Sequence, residues 1–209
     1  MRKPASMKAL EEIGRVRLSR NFFMRDFLYS EIANWYAMSN IPDDPDTAVE
    51  AGTRLCEELL EPLNARFGRI AIRSAFRSMA VNGFGNENGL NCGSNESNKA
   101  DHIWDHRDAD GNLGATACIV VPWFADAFEQ GREWQALAWW IHDHLPYSSL
   151  YFFPRRAAFN IQWRENPVRR IDSYATPKGN LTRRGKDNWD GDHGAHYAWF
   201  PQTVPESYR

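Results

Sequence analysis

The sequence predicts an α+β fold, and three observations carry that prediction. Val49, Leu55, Cys56, Leu59, Leu60 and Leu63 form an apolar stripe at helical spacing that stops near Gly68. Short apolar or alternating runs at 70–72, 117–123, 150–153 and 158–163 have strand length and strand composition. Read in order, the chain gives helix, strand, loop, strand, helix, strand, strand, which predicts a small antiparallel sheet with flanking helices.

Residues 1–19 read as an N-terminal arm, and the domain proper runs from 20 to 163. Between Asn21 and Asn40, Phe22, Phe23, Phe27, Leu28, Ile32, Trp35 and Tyr36 recur at spacings near three and four, the pattern of a short amphipathic helix. Pro42 and Pro45 break it. Thr47 with Glu50 three residues on reads as a capping box for the next helix, and Pro62 should bend its last turn. Ile70 and Ile72 alternate with polar neighbours, so this strand delivers Ser74-Ala75-Phe76-Arg77-Ser78 to its end. The Gly- and Asn-rich stretch 82–98 favours turns and reads as a long ordered loop. Residues 117–123 form a nearly all-apolar strand, and Arg132 to Leu145 a helix with Leu137, Trp140, Ile141 and His144 on one side. Two strands, 150–153 and 158–163, meet at a turn over Pro154-Arg155-Arg156. Beyond Trp163 the periodicity fades, which predicts an irregular extension over 164–209.

A chain of 209 residues with 43% hydrophobic content and a net charge of −2 has enough apolar material for one sizeable core. No apolar run approaches the ~20 residues that span a bilayer, and no apolar core follows the charged start, so no membrane partner and no secretory leader are expected. Cys56, Cys92 and Cys118 are odd in number and widely spaced, which favours free thiols. Residues 155–186 hold nine Lys or Arg against two acids, the one basic region in a near-neutral chain. With Trp163, Tyr174 and Trp189 beside it, this stretch is a candidate surface for an anionic polymer, nucleic acid included; a solvated loop surface is the plainer reading.

Residues 20–78, through Asn21-Phe22, Asp26-Phe27, Asn40-Ile41-Pro42, 59–63 and Ser74-Ala75-Phe76-Arg77-Ser78, resemble the zinc D-alanyl-D-alanine carboxypeptidases of phage and bacterial murein hydrolases. The resemblance extends more weakly to residue 163. It implies a Hedgehog/DD-peptidase fold, one zinc, and peptidoglycan stem peptide or another cell-wall polymer as partner. It also implies a virion-associated setting, with phage or tail structural proteins as further partners, while the free thiols favour a reducing, cytoplasmic one.

The resemblance places Arg77 beside the substrate, where a guanidinium holds a carboxylate or oxyanion through paired hydrogen bonds. Ser74 and Asn160 join it as substrate-binding residues. Gly114-Ala115-Thr116-Ala117-Cys118 is similar to the family's Gly-to-Asp motif, which puts Cys118 at an aspartate ligand position, with His102 or His106 as the preceding ligand. A thiolate is a sound zinc ligand, and a small buried core residue is the alternative for Cys118. Phe153 stands near the position of the catalytic Glu and Asn160 near that of the third ligand, so the hydrolytic half of the site is degenerate. Asp105 or Glu165 is the replacement base. His142 and His144 read as a helix C-terminus, and Asp190 to His196 as a tail segment with metal or phosphate capacity. The expected function is a carboxypeptidase-like domain with impaired or lost zinc hydrolysis; the alternatives are a non-catalytic virion component and an anionic-polymer binder.

Overall fold

The computed structural model describes residues 1–208. It is a mixed α/β fold built on a six-stranded sheet of order β1-β2-β4-β3-β5-β6. The helices are α1 (Met7–Gly14), α2 (Glu31–Trp35), α3 (Pro45–Leu55), α4 (Glu61–Phe67), α5 (Met79–Glu87), α6 (Asn95–Asn98), α7 (Pro122–Glu129), α8 (Gln135–His144) and α9 (Gly194–Tyr197). The strands are β1 (Ala71–Ser74), β2 (Gly114–Val120), β3 (Ser149–Phe152), β4 (Phe159–Arg164), β5 (Arg170–Ser173) and β6 (Gly179–Thr182). Among the described residues, no helix is long and apolar enough to cross a membrane.

The core lies on one face of the sheet. Ala115, Ala117 and Ile119 of β2 and Phe159, Ile161 and Trp163 of β4 point into it, where they join Leu55, Leu59 and Leu63 of the long helical segment. The alternate residues, Thr116 and Cys118 of β2 with Asn160, Gln162 and Arg164 of β4, therefore occupy the opposite, polar face.

The helical segment starts earlier than expected. Asp44, not Thr47, is its cap: the Asp44 carboxylate accepts from the Asp46 and Thr47 backbone N–H groups, and Pro45 takes the first helical position. The bend expected from Pro62 takes the form of a wide turn over Cys56–Leu60, in which Glu61 N–H donates to the Cys56 carbonyl five residues back. Pro62 has no N–H with which to restore the normal ladder. Gly68 ends the helix at φ +79°, a conformation glycine adopts without strain.

Four expectations are corrected. The aromatic stretch after Asn21 forms a single 3-10 turn, Met24–Phe27, and the short α2 instead of one helix. The Gly/Asn stretch is largely helical: Ser78 caps α5 by accepting from Val81 N–H, and Asn82 at 0% exposure bonds to the Gly93 carbonyl and Asn95. Its Gly85 is required by close approach, since a Cβ there would lie 2.5 Å from Cys92 Sγ. The apolar run 117–123 is split by Pro122, which opens α7. The tail beyond Trp163 is not all irregular, because β5 and β6 join the sheet; β5 runs parallel to β3, so the sheet is mixed and not purely antiparallel.

Candidate functional site

One extra residue in β1 sets the order of side chains across the polar face. Ile72 pairs with Ile119, yet Ser74 pairs with Cys118, so the strand bulges at Arg73. Such a bulge re-aims the side chains that follow it. Ser74, Cys118, Asn160, Tyr151 and Asp172 thereby become successive partners across β1, β2, β4, β3 and β5. Ser74 and Asn160 are half-buried and Cys118 is buried.

The edge of the row is built by residues 99–104. The Ala100 carbonyl lies over the Gly114 end of the polar face, where a Cβ on Gly114 would meet it at 2.2 Å. Gln162 Nε2 donates to the same oxygen at 3.4 Å. Thr116 N–H donates to the Asp101 carbonyl at 2.9 Å, and Trp104 Nε1 donates to the Thr116 carbonyl at 3.1 Å, so this segment continues the β2 edge where β1 has ended. His102 is held there. Its Nδ1 sits 2.8 Å from the Ala75 carbonyl, and its own carbonyl accepts from Arg77 N–H at 2.8 Å.

Arg77 is fixed by α5: its Nη1 donates to Asn82 Oδ1 at 3.1 Å and to Cys92 Sγ at 3.0 Å. Its charge is felt by both His102 and Cys118. Burial, with Arg77 adding to it, pushes His102 down to about 4, so the ring is neutral near pH 7. Burial also raises the Cys118 thiol, against the pull of Arg73 and Arg77, which keeps it protonated. The row and its edge thus hold a guanidinium, a neutral imidazole, a thiol, an amide and the Ser74 and Tyr151 hydroxyls. The one carboxylate in the row, Asp172, is committed to Arg170 and Asn180.

Of the residues singled out from sequence, Ser74, Cys118 and Asn160 share the row, with Arg77 and His102 at its edge. Asp105 and His106 lie outside. Asp105 has a fully buried carboxylate that accepts from Asp43 N–H at 2.6 Å and Asp44 N–H at 3.4 Å, and His106 Nδ1 turns to it at 3.2 Å. That carboxylate anchors the loop before α3. Glu165, the other candidate base, accepts from Leu113 N–H at 2.6 Å and pairs with Arg107. Phe153 flanks the row at the end of β3 and packs on Tyr151 at 5.8 Å.

The basic stretch is partly consumed by the fold. Arg169 donates to the Leu145 and His142 carbonyls at the end of α8, Arg164 pairs with Asp108, and Lys186 caps the Asn180 and Leu181 carbonyls. Arg155 and Arg156 instead line an open groove of ≈ 820 Å³ with Arg73, Asp126 and Glu129.

A second cluster stands apart from this row. Among the described residues, the one group of three His, Cys, Asp or Glu whose ligand atoms all lie within 4.8 Å of one another is His142, Asp143 and His193, which could hold a metal ion. His102, His106 and Cys118 form no such group. The sequence shows His142-Asp143-His144 and Asp190-Gly191-Asp192-His193 as separate clusters, and nothing in their spacing announces that the tail returns to α8.

Comparison with family models, with curated proteins and with solved structures returns no match.

Proposed function

We propose that this chain is a peptidoglycan-directed domain with a Hedgehog/DD-peptidase-like cleft that binds the carboxylate end of a stem peptide without hydrolysing it. What carries the reading is the alignment of Ser74, Cys118 and Asn160 in one cross-strand row beside a guanidinium fixed by Asn82. Those are the positions at which the resemblance calls for substrate and metal groups. The Arg is retained, and a carboxylate placed against it gains charge-assisted hydrogen bonds. The metal-holding half is depleted: a hydrolytic zinc needs three protein ligands and a base for its water. His102 and Cys118 supply two donors, Asn160 is a poor third, and the carboxylates Asp105 and Asp172 are engaged elsewhere. In this reading the partner is cell-wall peptide, and a phage or prophage particle is the setting in which such a binder serves.

Calorimetric titration with a stem peptide ending in D-alanyl-D-alanine, alongside an assay for released D-alanine, tests this. Saturable binding without turnover, lost in Arg77→Ala, is expected; no binding, or binding indifferent to Arg77→Ala, overturns it. The double variant Cys118→Asp with Asn160→His restores a His, Asp, His set and is expected to gain stoichiometric zinc in the cleft.

A further inference from the structure

His193 and Asp143 each turn one polar atom toward the other while a neighbour fastens the second, and His142, with a partner at each ring nitrogen, lies beside them with a ligand atom within 4.8 Å of both. His193 Nδ1 lies 2.7 Å from Asp143 Oδ1, and His193 Nε2 lies 3.2 Å from the Asn188 carbonyl. The second Asp143 oxygen accepts from Tyr197 Oη at 2.8 Å. His142 Nε2 is 3.0 Å from the Trp189 carbonyl, and its Nδ1 is 2.7 Å from Tyr147 Oη. Outer partners of this kind set the tautomer and orientation of metal ligands, and here all three candidates have one. Trp139 adds rigidity by stacking on the His193 ring at 4.0 Å with an interplanar angle of 4°. The two histidines are 6% and 8% exposed, so the site is sheltered on both imidazole sides.

We infer that His142 Nε2, Asp143 Oδ1 and His193 Nδ1 bind a zinc ion that staples residues 188–197 to the end of α8. The donor set argues for zinc. Two imidazoles and one carboxylate match its preferred ligands at about 2.0–2.2 Å, whereas magnesium and calcium call for shells of oxygen. Ferrous iron accepts the same donors, but it works at sites with open positions, and here the Trp189 carbonyl stands beside His142 Nε2 to close the shell. On binding, His193 presents its Nδ1 lone pair to the ion and carries its one ring proton on Nε2, which donates to the Asn188 carbonyl. His142 moves its proton from Nε2 to Nδ1, where Tyr147 Oη accepts it. The site is independent of the peptide cleft: it shares no residue with it and uses no thiol.

Cobalt(II) titration of the full chain, followed by visible absorption and competed with zinc, tests the inference. Stoichiometric binding without a thiolate-to-cobalt band is expected, unchanged in Cys118→Ser and abolished in His193→Gln. Tyr197→Phe, which removes only an outer hydroxyl, is expected to weaken binding by about 10–100-fold. Near-ultraviolet circular dichroism establishes that each variant is folded, and a zinc chelator is expected to speed proteolysis between residues 183 and 192 in the wild type. Sub-stoichiometric cobalt in the folded wild type, full binding by His193→Gln, or a charge-transfer band that Cys118→Ser removes would each overturn it.

Discussion

The cleft and the tail cluster use the same residue types in opposite ways. In and around the cleft the His and Asp groups are spent on structural partners: His102 on the Ala75 carbonyl, Asp105 on the Asp43 and Asp44 N–H groups, Asp172 on Arg170 and Asn180. In the tail cluster Asp143 and His193 bond to each other, and His142, held by Tyr147 and the Trp189 carbonyl, keeps a ligand atom within 4.8 Å of both. Groups spent singly on structural partners build a surface, and groups gathered within reach of one another can share a ligand. Presence of His and Asp near a candidate site therefore says less than where their second polar atom goes.

The sharpest way to break the cleft side of this contrast is Trp104→Ala. Trp104 is fully buried, packs on Phe27 at 5.3 Å and bonds to the Thr116 carbonyl, so its loss is expected to cost about 3–5 kcal/mol in a denaturant melt. Next comes pH. His102 is neutral in the fold at about 4 against an ordinary 6.5, so the unfolded chain takes up its proton first. Its contribution is complete above pH 6.5 and is lost as pH falls toward 4, by about 3 kcal/mol. His142, also lowered by burial, adds a loss of the same sign. Urea midpoints measured from pH 7 to 4 should show the decline, and His102→Asn should flatten most of it. Asp105→Ala leaves two backbone donors without their acceptor, and about 1–3 kcal/mol of destabilisation is expected with peptide binding by the folded protein unaltered. An active-site base would show the reverse pattern. Smallest is Tyr197→Phe without metal, about 0.5–1.5 kcal/mol, read as faster amide exchange in residues 188–197.

The elements legible in the sequence are those whose apolar period matches their burial: α8, β3 and β4 lie close to where periodicity puts them. The helix α5 was hidden because its glycines and asparagines are there for contact, with Gly85 against Cys92 and Asn82 bridging to Gly93 and Asn95. Strands β5 and β6 are four residues each and owe their place to pairing, which local composition does not record. Of the cleft, the residue types were readable and their common row was not, because the bulge at Arg73 that brings Ser74 opposite Cys118 leaves no composition signal. The tail cluster was unreadable as a unit for a simpler reason: its two halves lie fifty residues apart.

The parallel pairing of β3 with β5 also sets an order of events during synthesis. β3 and β4 emerge first and can pair as a hairpin, but the other edge of β3 has no neighbour until residues 170–173 arrive. In that interval the ribosome presents Leu150 and Phe152 on an uncovered strand, the kind of edge that recruits a second chain. Arg155 and Arg156, which follow β3, are charges of the kind that flank such strands.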